Sequence, residues 1–328
     1  MKELYKNIFA GDVILPKSPL KSINSYIIKG EERSLVIDTG FDHPESEEAF
    51  FAQFDELSLQ AGRVDLYLTH LHADHTGLCY KFQERFGGKI YCSKIDADYI
   101  NSMANKDYFT THQYRPEFLG LENDGHFFDH HPAVLYGPKH PVDIIPVKEG
   151  DVLSVGDYRL EVISVPGHTP DHTALYERTH KLLFSGDHIL DKITPNISFW
   201  RFEYGDILGT YLNSLEKVYR MDVDIVFPSH RVVVHDHRKR IDELIAHHED
   251  RLNDIRNILA DGGKKTATEV ASRMHWDFRA KDFESFPPNQ KWFACGEAMA
   301  HLVHLEAKGE VRMIHTSDLE PVLFYREG

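Results

Sequence analysis

Thr69-His70-Leu71-His72-Ala73-Asp74-His75 is the stretch from which the rest of the chain is read. Four side chains that can bind a metal fall within six residues. Before it, Val64-Asp65-Leu66-Tyr67-Leu68 predicts a short buried strand. After it, residues 76–86 predict a helix that stops at Gly87-Gly88, the usual C-terminal signal. The four side chains thus sit on a strand-to-helix loop, where rigid elements commonly hold catalytic groups. Residues two apart in an extended segment point the same way, so His70 and His72 can grip one cation together. Asp74 and His75 turn off with the entering helix and can grip a second. Imidazole with carboxylate suits zinc, iron or manganese and leaves positions open for water. The alternative, four unrelated polar loop residues, suits an isolated histidine better than it suits this spacing.

Upstream, Asp12-Val13-Ile14-Leu15, Ser25-Tyr26-Ile27-Ile28 and Leu35-Val36-Ile37 predict strands, separated by turn signals at 16–22 and 30–33. Asp38-Thr39-Gly40 ends the third. Residues 46–60 predict an amphipathic helix with Ser46 as N-cap and Phe50, Phe51, Phe54 and Leu57 on one face. Lys89-Ile90-Tyr91-Cys92 is a further strand. Strands followed by alternating strand and helix make a layered α/β or α+β pattern. Residues 94–145 are irregular and aromatic: Tyr99, Tyr108, Phe109, Tyr114, Phe118, Phe127, Phe128 and Tyr136, with His130 and His131. They form either a surface excursion with its own small cluster or a lid or pocket wall over the metal site.

From 146 to 230 strands return, at 159–165, 172–176 and 225–229, with a helix at 204–219. Pro166-Gly167-His168-Thr169-Pro170, Leu182-Leu183-Phe184-Ser185-Gly186-Asp187 and Ile225-Val226-Phe227-Pro228-Ser229-His230 each set a His or Asp just past an apolar run. The seven strand-end ligand types are then His70, His72, Asp74, His75, His168, Asp187 and His230. Two metals roughly 3.5–4 Å apart need about this number. A natural allocation gives His70, His72 and His168 to one ion and Asp74, His75 and His230 to the other. Asp187 bridges, because a carboxylate has two oxygens. Hydroxide on the open side completes the bridge, its pKa lowered toward about 7. Asp74 and Asp187 are the candidate catalytic carboxylates. A ligating imidazole gives its other N–H to a carboxylate or carbonyl, for which Asp38 is a candidate. His172 and His188 stand beside ligands and are candidates for ordering the site.

This set resembles the metallo-β-lactamase superfamily over residues 10–240, and Asp38-Thr39-Gly40 looks like that family's early Asp-Thr-Gly strand end. The resemblance implies a four-layer αββα sandwich with its metal site at one edge. Asp187 separates the chain from relatives whose bridging position no longer binds metal. Within the family it looks most like the glyoxalase II-like branch. Two departures concern the loops: Asp171, and Ser229-His230-Arg231 where many relatives have Gly-His-Gly. Residues 238–259 predict a long helix, 267–274 and 292–308 two more, and 311–315 with 322–325 a hairpin, which suggests a small winged-helix-like domain over 241–328.

The resemblance implies two divalent ions, zinc first, with iron or manganese as alternatives. It implies hydrolysis of a small thioester, ester or lactone. An endoribonuclease or phosphodiesterase of the winged-helix branch is the first alternative, and a mononuclear-iron oxygenase like the persulfide dioxygenases the second. Net charge −15 argues against nucleic acid, and residues 241–328 hold 11 Lys and Arg against 16 Asp and Glu. That module is expected to pack on the core, close the pocket or build a homodimer. Three widely spaced cysteines suggest neither a zinc ribbon nor a disulfide framework. There is no apolar run of about 18 residues and no apolar h-region at the charged start, so a cytoplasmic enzyme off the membrane is expected. The missing export signal argues against antibiotic hydrolysis.

Overall fold

The computed structural model describes residues 1–105, 108, 116–122, 128–276, 281–317 and 320–327. Chain order begins with β1 (Lys2–Tyr5), β2 (Ile8–Ile14), β3 (Ser22–Ile28), β4 (Ser34–Ile37), α1 (Pro44–Glu56), β5 (Val64–Tyr67), α2 (Ala73–Thr76) and α3 (Cys79–Phe86). It continues with β6 (Ile90–Ser93), α4 (Lys94–Met103), α5 (Pro132–Tyr136) and β7 (Ile144–Val147). These seven strands form one sheet in sequence order. Its later strands, β4 to β7, run parallel. Such strands are covered on both faces, which is why Leu35-Val36-Ile37 is an unbroken apolar run.

The second sheet holds β8 (Val152–Val155), β9 (Tyr158–Ser164), β10 (Thr173–Glu177), β11 (Leu182–Gly186) and β12 (Ile225–Pro228), in the order β12-β11-β10-β9-β8. Between the sheets lies a core that joins Tyr26, Ile28, Ile37 and Tyr67 to Leu160, Val162, Leu175, Phe184 and Phe227. The first sheet's other face packs Val13, Ile27, Val36 and Leu66 against Phe50, Phe54 and Phe82 of α1 and α3. The second sheet's other face packs Ile163, Ala174, Leu183 and Val226 against α6 (Ile207–Tyr219), α7 (His237–Ile258), α8 (Ala267–Ala271) and α9 (Pro288–Ala307). The layers are therefore helix, sheet, sheet, helix, as the family resemblance implies.

The C-terminal hairpin pairs β13 (Arg312–Ile314) with β14 (Leu323–Tyr325). Apolar residues described between 241 and 324 share one continuous cluster with the outer face of the second sheet, so they extend an existing layer. No helix among the described residues is long and apolar enough to cross a membrane. Cys79, Cys92 and Cys295 are free and buried.

Several boundaries differ from expectation. α1 starts at Pro44, capped by His43, whose Nδ1 accepts from Glu45 N at 3.3 Å; Ser46 Oγ donates instead to Ile14 O at 2.5 Å. The helix after His75 breaks in two because the His75 carbonyl is taken by Thr39, through N at 2.9 Å and Oγ1 at 2.8 Å. α3 does end at Gly87, with φ +62°. α6 starts at Ile207 because Asp206 Oδ1 accepts from Gly209 N at 2.8 Å, and Tyr204 belongs to a preceding 3₁₀ turn. Strands β1, β7 and β8 are not marked in the sequence, since none carries a clean apolar alternation.

Aromatic residues of 94–145 join existing cores among the described residues. Phe118 and Phe128 join the second sheet's helical core, and Tyr99 and Tyr136 join the first sheet's. Phe109, Tyr114 and Phe127 lie outside the described residues.

Candidate metal centre

Strand direction brings the ligand types to one edge. β5 leads into His70 and His72, and α2 carries Asp74 and His75. β9 and β11 both run antiparallel to β10, and β11 runs parallel to β12. The C-terminal ends that lead to His168, Asp187 and His230 therefore emerge together. Cross-sheet hydrogen bonds fasten this edge: Tyr67 Oη donates to Thr173 Oγ1 at 2.7 Å, Tyr26 Oη to Pro228 O at 2.7 Å and Thr173 N to Thr69 O at 3.0 Å.

All seven residues converge, in three overlapping groups. They are His70, His72 and His168; His70, His75 and Asp187; and Asp74, His75 and His230. Within each group the ligand atoms lie within 4.8 Å of one another. The first and third groups reproduce the allocation read from sequence. Asp187 stands between them, with Oδ1 3.6 Å from His75 Nε2 and Oδ2 3.7 Å from His168 Nε2 and 3.6 Å from His230 Nε2. His70 Nε2 and His72 Nδ1 are 3.1 Å apart, and His230 Nε2 lies 3.3 Å from Asp74 Oδ2.

Four atoms at this point, the Nε2 of His75, His168 and His230 and Oδ1 of Asp187, are buried without a hydrogen-bond partner. Each such atom costs about 1–3 kcal/mol. Four of them gathered together, whose lone pairs are free once the rings are neutral, fit a bound cation that would displace the ring protons, and the donor set fits zinc, iron or manganese.

The remaining ring nitrogens are held from behind, which fixes each ring's orientation. His168 Nδ1 donates to Asn196 O at 2.9 Å and His230 Nδ1 to Ser22 O at 2.9 Å. His75 Nδ1 donates to Asp38 Oδ2 at 2.8 Å, and Thr69 Oγ1 links Asp38 Oδ2 at 2.9 Å to His70 Nδ1 at 3.0 Å. Asp38 takes φ +59°, an uncommon backbone region for a residue with a Cβ.

Burial, reinforced by the neighbouring imidazoles, pushes His70 well below the usual imidazole range and His72 down to about 3. Burial also lowers His168, so these three rings are neutral and their lone pairs free. For His75 burial again pulls downward, but Asp38, Asp187 and Asp74 outweigh it and hold the group well above its usual value. Burial raises Asp187, and His230, His75 and His168 more than reverse that, so its carboxylate stays ionised.

His172 Nε2 accepts from Asp187 N at 3.1 Å and so fixes the backbone that carries the bridging candidate. Gly186, at φ +54°, has its missing Cβ 2.7 Å from the His172 ring, so only glycine fits between the two. His188 belongs to none of the three groups; its ring meets Tyr211 edge-on at 5.4 Å. Asp171 Oδ2 accepts from Ile95 N at 2.9 Å and anchors the start of α4. Arg231, at φ +70°, donates from Nη1 to Leu20 O at 3.0 Å.

Sequence reasoning missed Asp96 and Trp200. Buried Asp96 takes Leu71 N at 3.1 Å and Thr169 Oγ1 at 2.6 Å on one oxygen, which ties the His70–His72 loop to the His168 loop. It lies in the first turn of α4, just past strand β6, the position that flagged the other strand-end residues. Trp200 lies near-parallel to the His72 ring at 6.0 Å, donates from Nε1 to His168 O at 3.4 Å and meets Tyr99 at 5.8 Å. Tyr99 Oη in turn lies 3.2 Å from Tyr204 Oη. Through Tyr99, the 94–145 segment touches Trp200, whose ring lies beside His72.

Residues 19–230 match the family model described as Metallo-beta-lactamase superfamily. The acyl-coenzyme A thioesterase MBLAC2 of Homo sapiens is 27% identical over 214 residues, 63% of this chain and 72% of that protein. The hydroxyacylglutathione hydrolase GloC of Haemophilus influenzae is 25% identical over 202 residues, 62% of this chain and 82% of that protein. The crystal structure of a beta-lactamase domain protein from Burkholderia ambifaria superposes with a TM-score of 0.83 at 26% identity, covering 99% of this chain and 94% of that one.

Proposed function

The chain belongs to the metallo-beta-lactamase superfamily, and from that premise we propose that it is a binuclear metal-dependent hydrolase of a small thioester, ester or lactone, thioester first. One observation carries the proposal: seven His and Asp side chains converge with unpartnered nitrogens and a carboxylate oxygen at their centre. The relatives named as an acyl-coenzyme A thioesterase and a hydroxyacylglutathione hydrolase favour the thioester. Zinc is the first choice of metal.

His70, His72 and His168 would hold one ion and Asp74, His75 and His230 the other, with Asp187 between them. Two divalent ions there would polarise the substrate carbonyl and lower the pKa of water toward about 7. The chain's own part is to place and move protons. Asp74 keeps more exposure than Asp187, 14% against 9%. Its carboxylate takes the proton released as water attacks the acyl carbon. The C–O bond forms, the C–S bond breaks, and the proton passes to the departing sulfur. Trp200 and Tyr99 form the wall against which the substrate lies. Residues 1–240 are the catalytic domain in this reading. Residues 241–328 are a winged-helix-like module that supports it.

The test is a hydrolysis screen of the zinc-loaded protein against an acyl-coenzyme A, an acylglutathione, a lactone and RNA, with metal content measured in parallel. Thiol release from a thioester is expected. Cleavage of RNA alone would overturn the substrate class, and fewer than two ions per chain would overturn the binuclear centre.

A further inference from the structure

The segment that follows Asp187 touches His168 from both sides. Asn196 O accepts from His168 Nδ1 at 2.9 Å, and Trp200 Nε1 reaches His168 O at 3.4 Å while its ring covers His72. That segment is gripped by α9. Asn196 Nδ2 donates to Glu297 Oε2 at 2.7 Å, and Phe199 N donates to Gly296 O at 2.9 Å. Ser198 Oγ sits 2.1 Å from where a Cβ at residue 296 would stand, so glycine lets this hydroxyl pack directly on α9. Glu297 is itself held: Arg251 of α7 gives Nε to Oε1 at 2.8 Å and lies over Trp276 at 4.2 Å. Both charged side chains are largely buried, at 13% and 8% exposure. Buried pairs of this kind rarely add stability over an apolar substitute, which leaves a positioning role as the reason to keep one.

Among the described residues, the rings proposed for the other ion are backed elsewhere. His75 is backed by Asp38 and His230 by Ser22, both in the N-terminal half. We propose that Glu297, with Arg251, is a positioning group for the ion held by His70, His72 and His168, acting through Asn196 on the His168 ring. The C-terminal helices then tune one metal position and leave its neighbour alone. This rests on the metal-centre reading above, and it assigns to 241–328 a specific task there.

The experiment titrates metal-free protein with Zn²⁺ against a chromophoric chelator and compares Glu297→Gln, Asn196→Ala and Glu310→Gln with wild type. Glu310 is the control: it pairs with Arg256 of α7 at 2.7 Å, beyond the end of α9, and bonds to nothing in 196–200 among the described residues. Asn196→Ala keeps the backbone carbonyl and releases it from α9, so it decides the matter if Glu297→Gln does not fold. One ion weakened about tenfold or more in Glu297→Gln and Asn196→Ala, the second ion unchanged, and both unchanged in Glu310→Gln is the expected result. Both ions unchanged, or both weakened equally, would overturn the proposal. If wild type holds a single ion, the binuclear reading falls, and weakening of that ion in Glu297→Gln still decides this one.

Discussion

His75 Nδ1 lies 2.8 Å from Asp38 Oδ2, and neither side chain has any exposed surface. Asp38 also accepts from Thr69 N at 2.8 Å and from Ser229 Oγ at 3.1 Å, so one carboxylate joins β4, the His70 loop and the His230 loop. Asp38→Asn keeps the volume but turns one acceptor oxygen into a donor, which faces donors already in place. The expected outcome is a loss of about 10–100-fold in metal affinity by chelator competition. Urea unfolding of the metal-free variant should show about 1–3 kcal/mol less stability. Affinity within a factor of two of wild type would contradict the role given to Asp38.

Asp187 is the one candidate ligand within 4 Å of His75, His168 and His230 at once. Asp187→Ala therefore removes the link between the two groups and leaves each with its own three side chains. Metal content is expected to fall from two ions to one or fewer, and hydrolysis by about 10²-fold or more. Elemental analysis of the dialysed variant, beside its rate, checks both. Two retained ions with full activity would show that Asp187 bridges nothing.

What could be read from sequence follows from what carries the information. Ligand types standing just past apolar runs marked His70, His72, Asp74, His75, His168, Asp187 and His230, because strand ends and metal chemistry both leave side-chain signatures. The groups behind them are harder. His168 and His230 are oriented by the carbonyls of Asn196 and Ser22, which every residue possesses, so no residue type marks them. Trp200 reaches the site, and Glu297 reaches Asn196 behind it, from segments whose approach only tertiary packing decides. Boundaries failed where a distant group took over a helix bond, as Thr39 does with the His75 carbonyl.

Asp96 sets a pH dependence. Burial first, helped by the charge of Asp171, raises its carboxyl to about 7, against the bonds from Thr169 and Leu71 that lower it. A carboxyl with a raised folded pKa holds its proton in the native state while the unfolded chain releases it. Its contribution is therefore complete below about 4 and is lost as pH rises toward about 7. Asp96→Asn does not titrate, and its amide oxygen can still accept from Leu71 N and Thr169 Oγ1. The variant should gain on wild type as pH rises from 5 to 8, by up to about 1.4 kcal/mol per unit inside that window. Urea unfolding of both metal-free proteins at these pH values checks it. A constant difference would mean that Asp96 is ionised throughout.

A second pair titrates in the opposite sense. His301 Nδ1 donates to Glu297 O at 2.7 Å, so His301 Nε2 is left as an acceptor, and His248 Nδ1 donates to it at 3.1 Å. Both rings are neutral in this arrangement. Burial pushes His301 down to about 3, and burial with the neighbouring His301 pushes His248 well below the usual range. The unfolded chain takes up protons below about 6.5 where the native state cannot. Stability is thus complete above that pH and lost as pH falls. By pH 5.5 the cost is on the order of 1 kcal/mol for each ring. In His248→Leu/His301→Leu both groups are gone. Whatever its stability at pH 7.5, this variant should lose about 2 kcal/mol less than wild type between pH 7.5 and 5.5 in urea unfolding. Equal losses would show that the pair is already protonated in the native protein, which would take away the His301 Nε2 lone pair that accepts from His248 Nδ1.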